Sequence, residues 1–214
     1  MTFALIEVQA MAKKAARGAG YSWGMAEEAA MATRWLSTHD VDGVAALAGV
    51  LVEVDSADLR QMAPGALSGD WSGKAGRLCP LMTGAALSGA AFDWADTGKR
   101  VDNLLCPILL LPFAAMASRA LKAPVMVEWD GLRATTDGSR VELPAAAGVE
   151  RIATAGRVTV RRGGRLDHAR PPISRASPTE DDWAVLTRFA ARTHAPDTED
   201  SRLKGAGAGL TNND

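Results

Sequence analysis

Charge of one sign is missing from this chain. Lysine and arginine number 24 against 25 acids, which removes the global field that would favour nucleic acid or a membrane surface. Long apolar runs are missing too. The longest uncharged one, LLCPILLLPFAAMA at 104–117, is too short to span a bilayer and holds two prolines. No secretory signal is visible, because Met1 opens a helical pattern carrying Glu7, Lys13 and Lys14. A cytoplasmic protein without a membrane partner is expected. Histidine occurs only at His39, His168 and His194, scattered near loops and without spaced partners. Solvated rings and no metal site are expected of them. No GxSxG elbow, Walker loop or dinucleotide GxGxxG is present. Residues 205–209 spell GxGxG, but no strand precedes them and no helix can follow. No cofactor can be named.

Hydrophobic residues make up 47% of the chain, and alanine supplies much of that share. One shared core over 1–214 is expected. The fold class is α+β, with N-terminal helices, a central mixed sheet containing a β-meander, and a C-terminal helix with a glycine-rich tail. The helical part covers 1–60, the sheet-forming part 75–170, and the last part 177–214. Helix formers fill 3–17 and stop at Gly18 and Gly20. Ser22 caps a second helix to Ser37, and a third runs over 41–51. Residues 64–77, rich in glycine, form a loop. The segment 78–92 suits a strand or close backbone packing, and 103–111 reads as a strand buried on both faces. Pro112 then opens a helix to Leu121. VMVEW, LRATT and RVEL, joined at Asp130-Gly131 and Asp137-Gly138, form the meander, and ERIAT with RVTVRR extends it. Ser177-Pro178-Thr179-Glu180 reads as a capping box for a helix ending near His194.

The stretch ARGAGYSWGMAEEAA at 15–29 is where a site is most legible. On a helical wheel Met25, Ala29, Ala32 and Leu36 form the apolar face, with Glu27 and Arg34 on the far side. Glu28 falls beside Ala32 and Trp35, on the shoulder of that face. It should be the less exposed acid, with a carboxyl pKa raised by partial burial. Glu27 should be solvated and complement the positive end of the helix dipole. Glu28 is therefore the candidate acid/base. Ser22, Trp23 and Arg34 are candidate binding residues at this end. Arg202 with Gly205, Gly207 and Gly209, which echo Gly18-Ala19-Gly20, are the candidates at the other end.

RGAGYSWGMAEEAAMATRWL and SRLKGAGAGLTNND, with the two LCP segments and VEWDG between them, resemble a bacterial family known only as a domain of unknown function. His194 and Asn212 depart from that pattern, standing where an aromatic residue and an acid are expected. The resemblance implies that the two glycine-rich ends belong to one protein type, and it carries no activity.

Other signals weigh less. Residues 151–175 carry seven arginines against one acid, Asp167, as a nucleic-acid hairpin would. No aromatic is interleaved for base stacking, and the acidic stretch 180–200 can pair with the arginines internally. Cys79 and Cys106 sit in the near-repeat Leu-Cys-Pro. They are expected on neighbouring strands, buried and reduced. Trp23 and Trp71 lie in glycine-rich settings that suit pocket walls. Two readings follow, ahead of a third in which the arginine hairpin is a nucleic-acid-binding module. In one, a small enzyme acts on a small polar metabolite through Glu28. In the other, the same ends form a non-catalytic ligand-binding or assembly subunit, including contacts between copies of the chain.

Overall fold

The structure is a computed structural model and describes residues 1–143, 148–151 and 153–193. The fold is α+β, as the patterning predicts. Helix α1 (Leu5–Gly18) starts two residues later than expected. Strand β1 (Phe3–Ala4) pairs antiparallel with β7 (Arg175–Ala176), and this holds the first residues extended. Val8, Ala12, Ala15 and Ala16 are its buried stripe, the spacing that one helical face requires. Helix α2 (Trp23–Thr38) begins at its Ser22 cap, whose hydroxyl accepts the Met25 N–H at 3.3 Å. Helix α3 (Gly43–Glu53) is capped by Asp42, which accepts the Ala45 N–H at 2.9 Å.

The segment 78–92 is helical, not strand. It forms α4 (Pro80–Gly89) and α5 (Ala91–Trp94). Its small residues do serve close packing, for a Cβ on Gly84 would run into the Phe113 ring. The run 103–111 is also corrected. Strand β2 (Lys99–Leu105) ends where Cys106 turns left-handed at φ 39°, and Pro107 then opens a 3-10 turn into α6 (Leu111–Leu121). Proline fixes φ and removes a ladder donor, so an apolar run of strand-like composition splits at Cys106. Both Leu-Cys-Pro segments are thus helix starts, with cysteine at the cap and proline in the first turn. The two thiols are buried, as expected, but neither lies in a strand.

The meander is present as β3 (Val125–Trp129), β4 (Leu132–Thr136) and β5 (Val141–Glu142). The later pair does not extend it. ERIAT contributes only Thr154, and β6 (Thr154–Arg162) inserts between β2 and β3 to give the order β2-β6-β3-β4-β5. Its ladders are all antiparallel. Among the described residues, parallel pairing is confined to isolated bridges of Trp71 and Leu78 along the outer edge of β2, where the 64–77 loop covers backbone groups that an edge strand leaves open. Lys99 anchors that loop. Its ammonium donates to the Leu67 and Gly69 carbonyls at 3.0 and 2.9 Å and lies 4.7 Å from the Trp71 ring centroid.

Val125, Val127, Trp129, Val158 and Val160 face inward, and α6 packs on β3 and β4. Helices α4 and α2 pack on α6, α2 packs on α1 and α3, and α7 (Glu180–Ala191) closes the cluster against α1 and α3. The cap of α7 is Thr179, not Ser177. Thr179 Oγ1 accepts the Asp182 N–H at 3.1 Å and donates to the Asp182 carboxylate at 2.6 Å. Pairing of Arg175 and Ala176 with β1 keeps the chain extended too long for a cap at Ser177. His39 is a second correction. It is buried, with Nδ1 2.8 Å from the Trp35 carbonyl and Nε2 3.0 Å from that of Ser139, so it ties α2 to the β4–β5 turn. His168 is exposed as expected, and His194 lies outside the described residues.

Candidate functional site

The 15–29 stretch builds one wall of a cleft of about 390 Å³. Helix α1 stops at Gly18, and Gly20 at φ 96° turns the chain through a conformation that glycine adopts without strain. Tyr21 then drops into the core and Ser22 starts α2. The opposite wall is the 57–60 segment, where Asp58 caps a 3-10 turn by accepting the Arg60 N–H at 3.1 Å. Met25, Leu59 and Met82 supply the apolar lining. Asp58 and Arg60 face each other loosely at 3.8 Å, and the arginine side chain is 93% exposed. Little of the guanidinium is committed within the protein.

Beneath this cleft the Tyr21 hydroxyl lies 3.1 Å from Cys79 Sγ. Burial, then the neighbouring thiol, pushes the Tyr21 hydroxyl far above its ordinary range. Burial also raises the Cys79 thiol. Donation from Tyr21 and from the Met82 and Leu81 N–H groups opposes that rise without overcoming it. The pair is a neutral, buried support for the loop, not a reactive thiolate.

The candidate residues separate. Ser22 lines the cleft. Glu28 is half-buried, and burial raises its carboxyl, whereas Glu27 is exposed and paired with Lys13. Glu28 follows Met25 by one turn along a half-buried edge of α2 that continues through Met31 and Trp35, and it is not among the cleft's lining residues. Trp23 is not among the lining residues of this cleft. It is 66% exposed, with the Arg17 guanidinium 4.5 Å from its ring centroid. Trp71 is buried, and its indole N–H donates to the Leu67 carbonyl at 3.0 Å. Arg34 donates to Gln9 at 2.8 Å, about 18 Å along the helix from Ser22 at 1.5 Å per residue. Arg202, Gly205, Gly207 and Gly209 lie outside the described residues. Asp58 and Arg60 escaped the sequence reading; their one local signal was an acid placed to cap the turn at Leu59–Met62.

Two further concavities are occupied by paired charges or apolar walls. A cleft of about 880 Å³ on the outer face of the sheet holds Glu128, Arg133, Arg157, Glu142 and His168. Arg133 pairs with Glu128 at 3.0 Å and Arg157 with Asp102 at 3.8 Å. The Glu142 carboxylate accepts the Asp167 and His168 N–H groups, and these bonds hold it below the usual carboxylate range. Elsewhere in 151–175, Arg151 pairs with Asp182, Arg162 with Asp96, and Arg165 with Asp167. Arg170 and Arg175 donate to the Asp40 and Thr2 carbonyls. The arginine-rich segment is largely engaged within the fold. The other concavity, about 280 Å³, lies against α3 and contains Cys106 and the Arg151–Asp182 pair. Among the described residues no group of three or more His, Cys, Asp or Glu side chains is placed to hold a metal ion, and no helix is long and apolar enough to cross a membrane.

The family described as "Protein of unknown function (DUF3726)" matches residues 3–79. The match includes the 17–36 segment that carries the resemblance, both walls of the 390 Å³ cleft except Met82, and Cys79 beneath it. No curated protein and no solved structure matches the chain.

Proposed function

We propose that this is a cytoplasmic protein that binds a small polar metabolite in the cleft between the 18–22 loop and the 57–60 turn, with Glu28 as acid/base. One observation carries the reading: the C-terminal helix ends beside both walls. A Cβ on Gly18 would collide with the Phe189 carbonyl, and the Arg192 guanidinium grips Asp55 at 2.7 and 2.9 Å. The chain therefore leaves Thr193 next to the Gly18 end of one wall and the Asp55 end of the other. The alternating glycines of 201–210 permit close backbone approach. In this proposal Ser22, Arg202, Gly205, Gly207 and Gly209 complete the binding surface, and Arg202 offsets the charge of Glu27 and Glu28.

Truncation after Ser201 tests the shared site. Thermal-shift screening of the full and shortened proteins against amino acids, sugar acids and polyols should give stabilisation that the shortened protein loses. Equal responses, with equal protease resistance, would remove the tail from the site. The position of Glu28 one turn outside the lining favours a second reading, a ligand-binding subunit without catalysis. Glu28→Gln separates the two. Turnover lost with binding retained supports the acid/base, and binding without turnover in either protein supports the subunit.

A further inference from the structure

The composition of the 390 Å³ cleft narrows the ligand, on the premise that it is the binding site just proposed. Its walls combine three features that rarely suit one simple ligand. The floor is apolar, from Met25, Leu59 and Met82, and thioether side chains adapt to varied apolar shapes. One rim carries a loosely joined pair of opposite charges, Asp58 and Arg60, 3.8 Å apart. The facing rim is Ser22 at the start of α2, whose hydroxyl accepts the Met25 N–H. A phosphate would meet Asp58 at close range. A hydrocarbon would strand both charges, and a neutral sugar would leave the methionine floor unmatched.

We infer that the cleft takes a zwitterionic α-amino acid with an apolar side chain. Its carboxylate lies against Arg60, its ammonium against Asp58, and its side chain on Met25 and Met82. An α-amino acid carries its opposite charges on one carbon. It can lie across a 3.8 Å ion pair with each charge facing its complement. Gly20 leaves the approach open, since a Cβ there would meet nothing within 4 Å.

Calorimetric titration of the full chain with L-methionine, L-methioninamide and N-acetyl-L-methionine tests this. Methionine should bind at least tenfold more tightly than either analogue. Arg60→Gln, at an exposed position that leaves the fold intact, should weaken methionine tenfold and leave the amide unchanged. Asp58→Asn retains the cap and should weaken methionine while sparing the N-acetyl derivative. Equal affinity for all three, or insensitivity to both variants, overturns the amino-acid assignment. If no form of methionine binds, but another metabolite does in a tail-dependent way, the ligand class is wrong and the site stands. If nothing stabilises the full chain, both fall.

Discussion

Gly84 has no space for a methyl group, because a Cβ would overlap three atoms of the Phe113 ring, all within 2.6 Å. Gly84→Ala should therefore cost about 1–3 kcal/mol through overpacking of α4 on α6. Gly49, in α3, has nothing within 4 Å of the same added atom, so Gly49→Ala should gain about 0.5–1 kcal/mol from reduced backbone entropy. Urea denaturation of the two variants reads both signs. Glu28 gives a pH test. Burial raises its folded pKa above the unfolded value, so the folded state holds the proton more tightly. Its contribution to stability is most favourable below the unfolded carboxylate pKa and declines as pH rises through the folded one. Glu28→Gln should then be relatively more stable at pH 7 than at pH 4, and a reversed trend in melting temperature would refute the assignment. The unequal exposure of Glu27 and Glu28 was legible because a helical wheel is local. His39 was not, since its Nε2 partner is the carbonyl of Ser139, a hundred positions along the chain.

Elements were legible where their ends carry their own chemistry. Ser22 announces α2 and the Gly18–Gly20 segment ends α1, because cap and stop are properties of a few adjacent residues. Composition misled where strand and helix share it. The buried faces of α4 and the 107–110 turn are as apolar as a strand buried on both sides, and only the proline after each cysteine separates the alternatives. The insertion of β6 between β2 and β3 depends on pairing over long separations, which no local pattern encodes. The shift of the α7 cap from Ser177 to Thr179 likewise follows from a tertiary strand pair. Thr179→Ala should cost about 1 kcal/mol. Ser177→Ala should stay within about 0.5 kcal/mol of the parent. Thermal unfolding of both variants distinguishes the two caps.

Across the whole molecule, the family match and the packing have different boundaries. Residues 3–79 match the family, yet α1 packs on α7, α2 on α6, and Leu78 bridges to Leu104. A fragment of residues 1–79 would expose those faces. It should lack a cooperative thermal transition by circular dichroism, and a sharp transition would show an independent unit. Phe3 stacks on Trp183 at 3.7 Å while Gly18 abuts Phe189, so α1 and α7 lie side by side and run in the same direction. With α1 14 residues long, Phe3 and Thr193 stand at opposite ends of a pair about 20 Å in length. Tension applied between the N-terminus and Thr193 would load that interface in shear along its full length. The two helices must slide past one another together instead of peeling apart turn by turn.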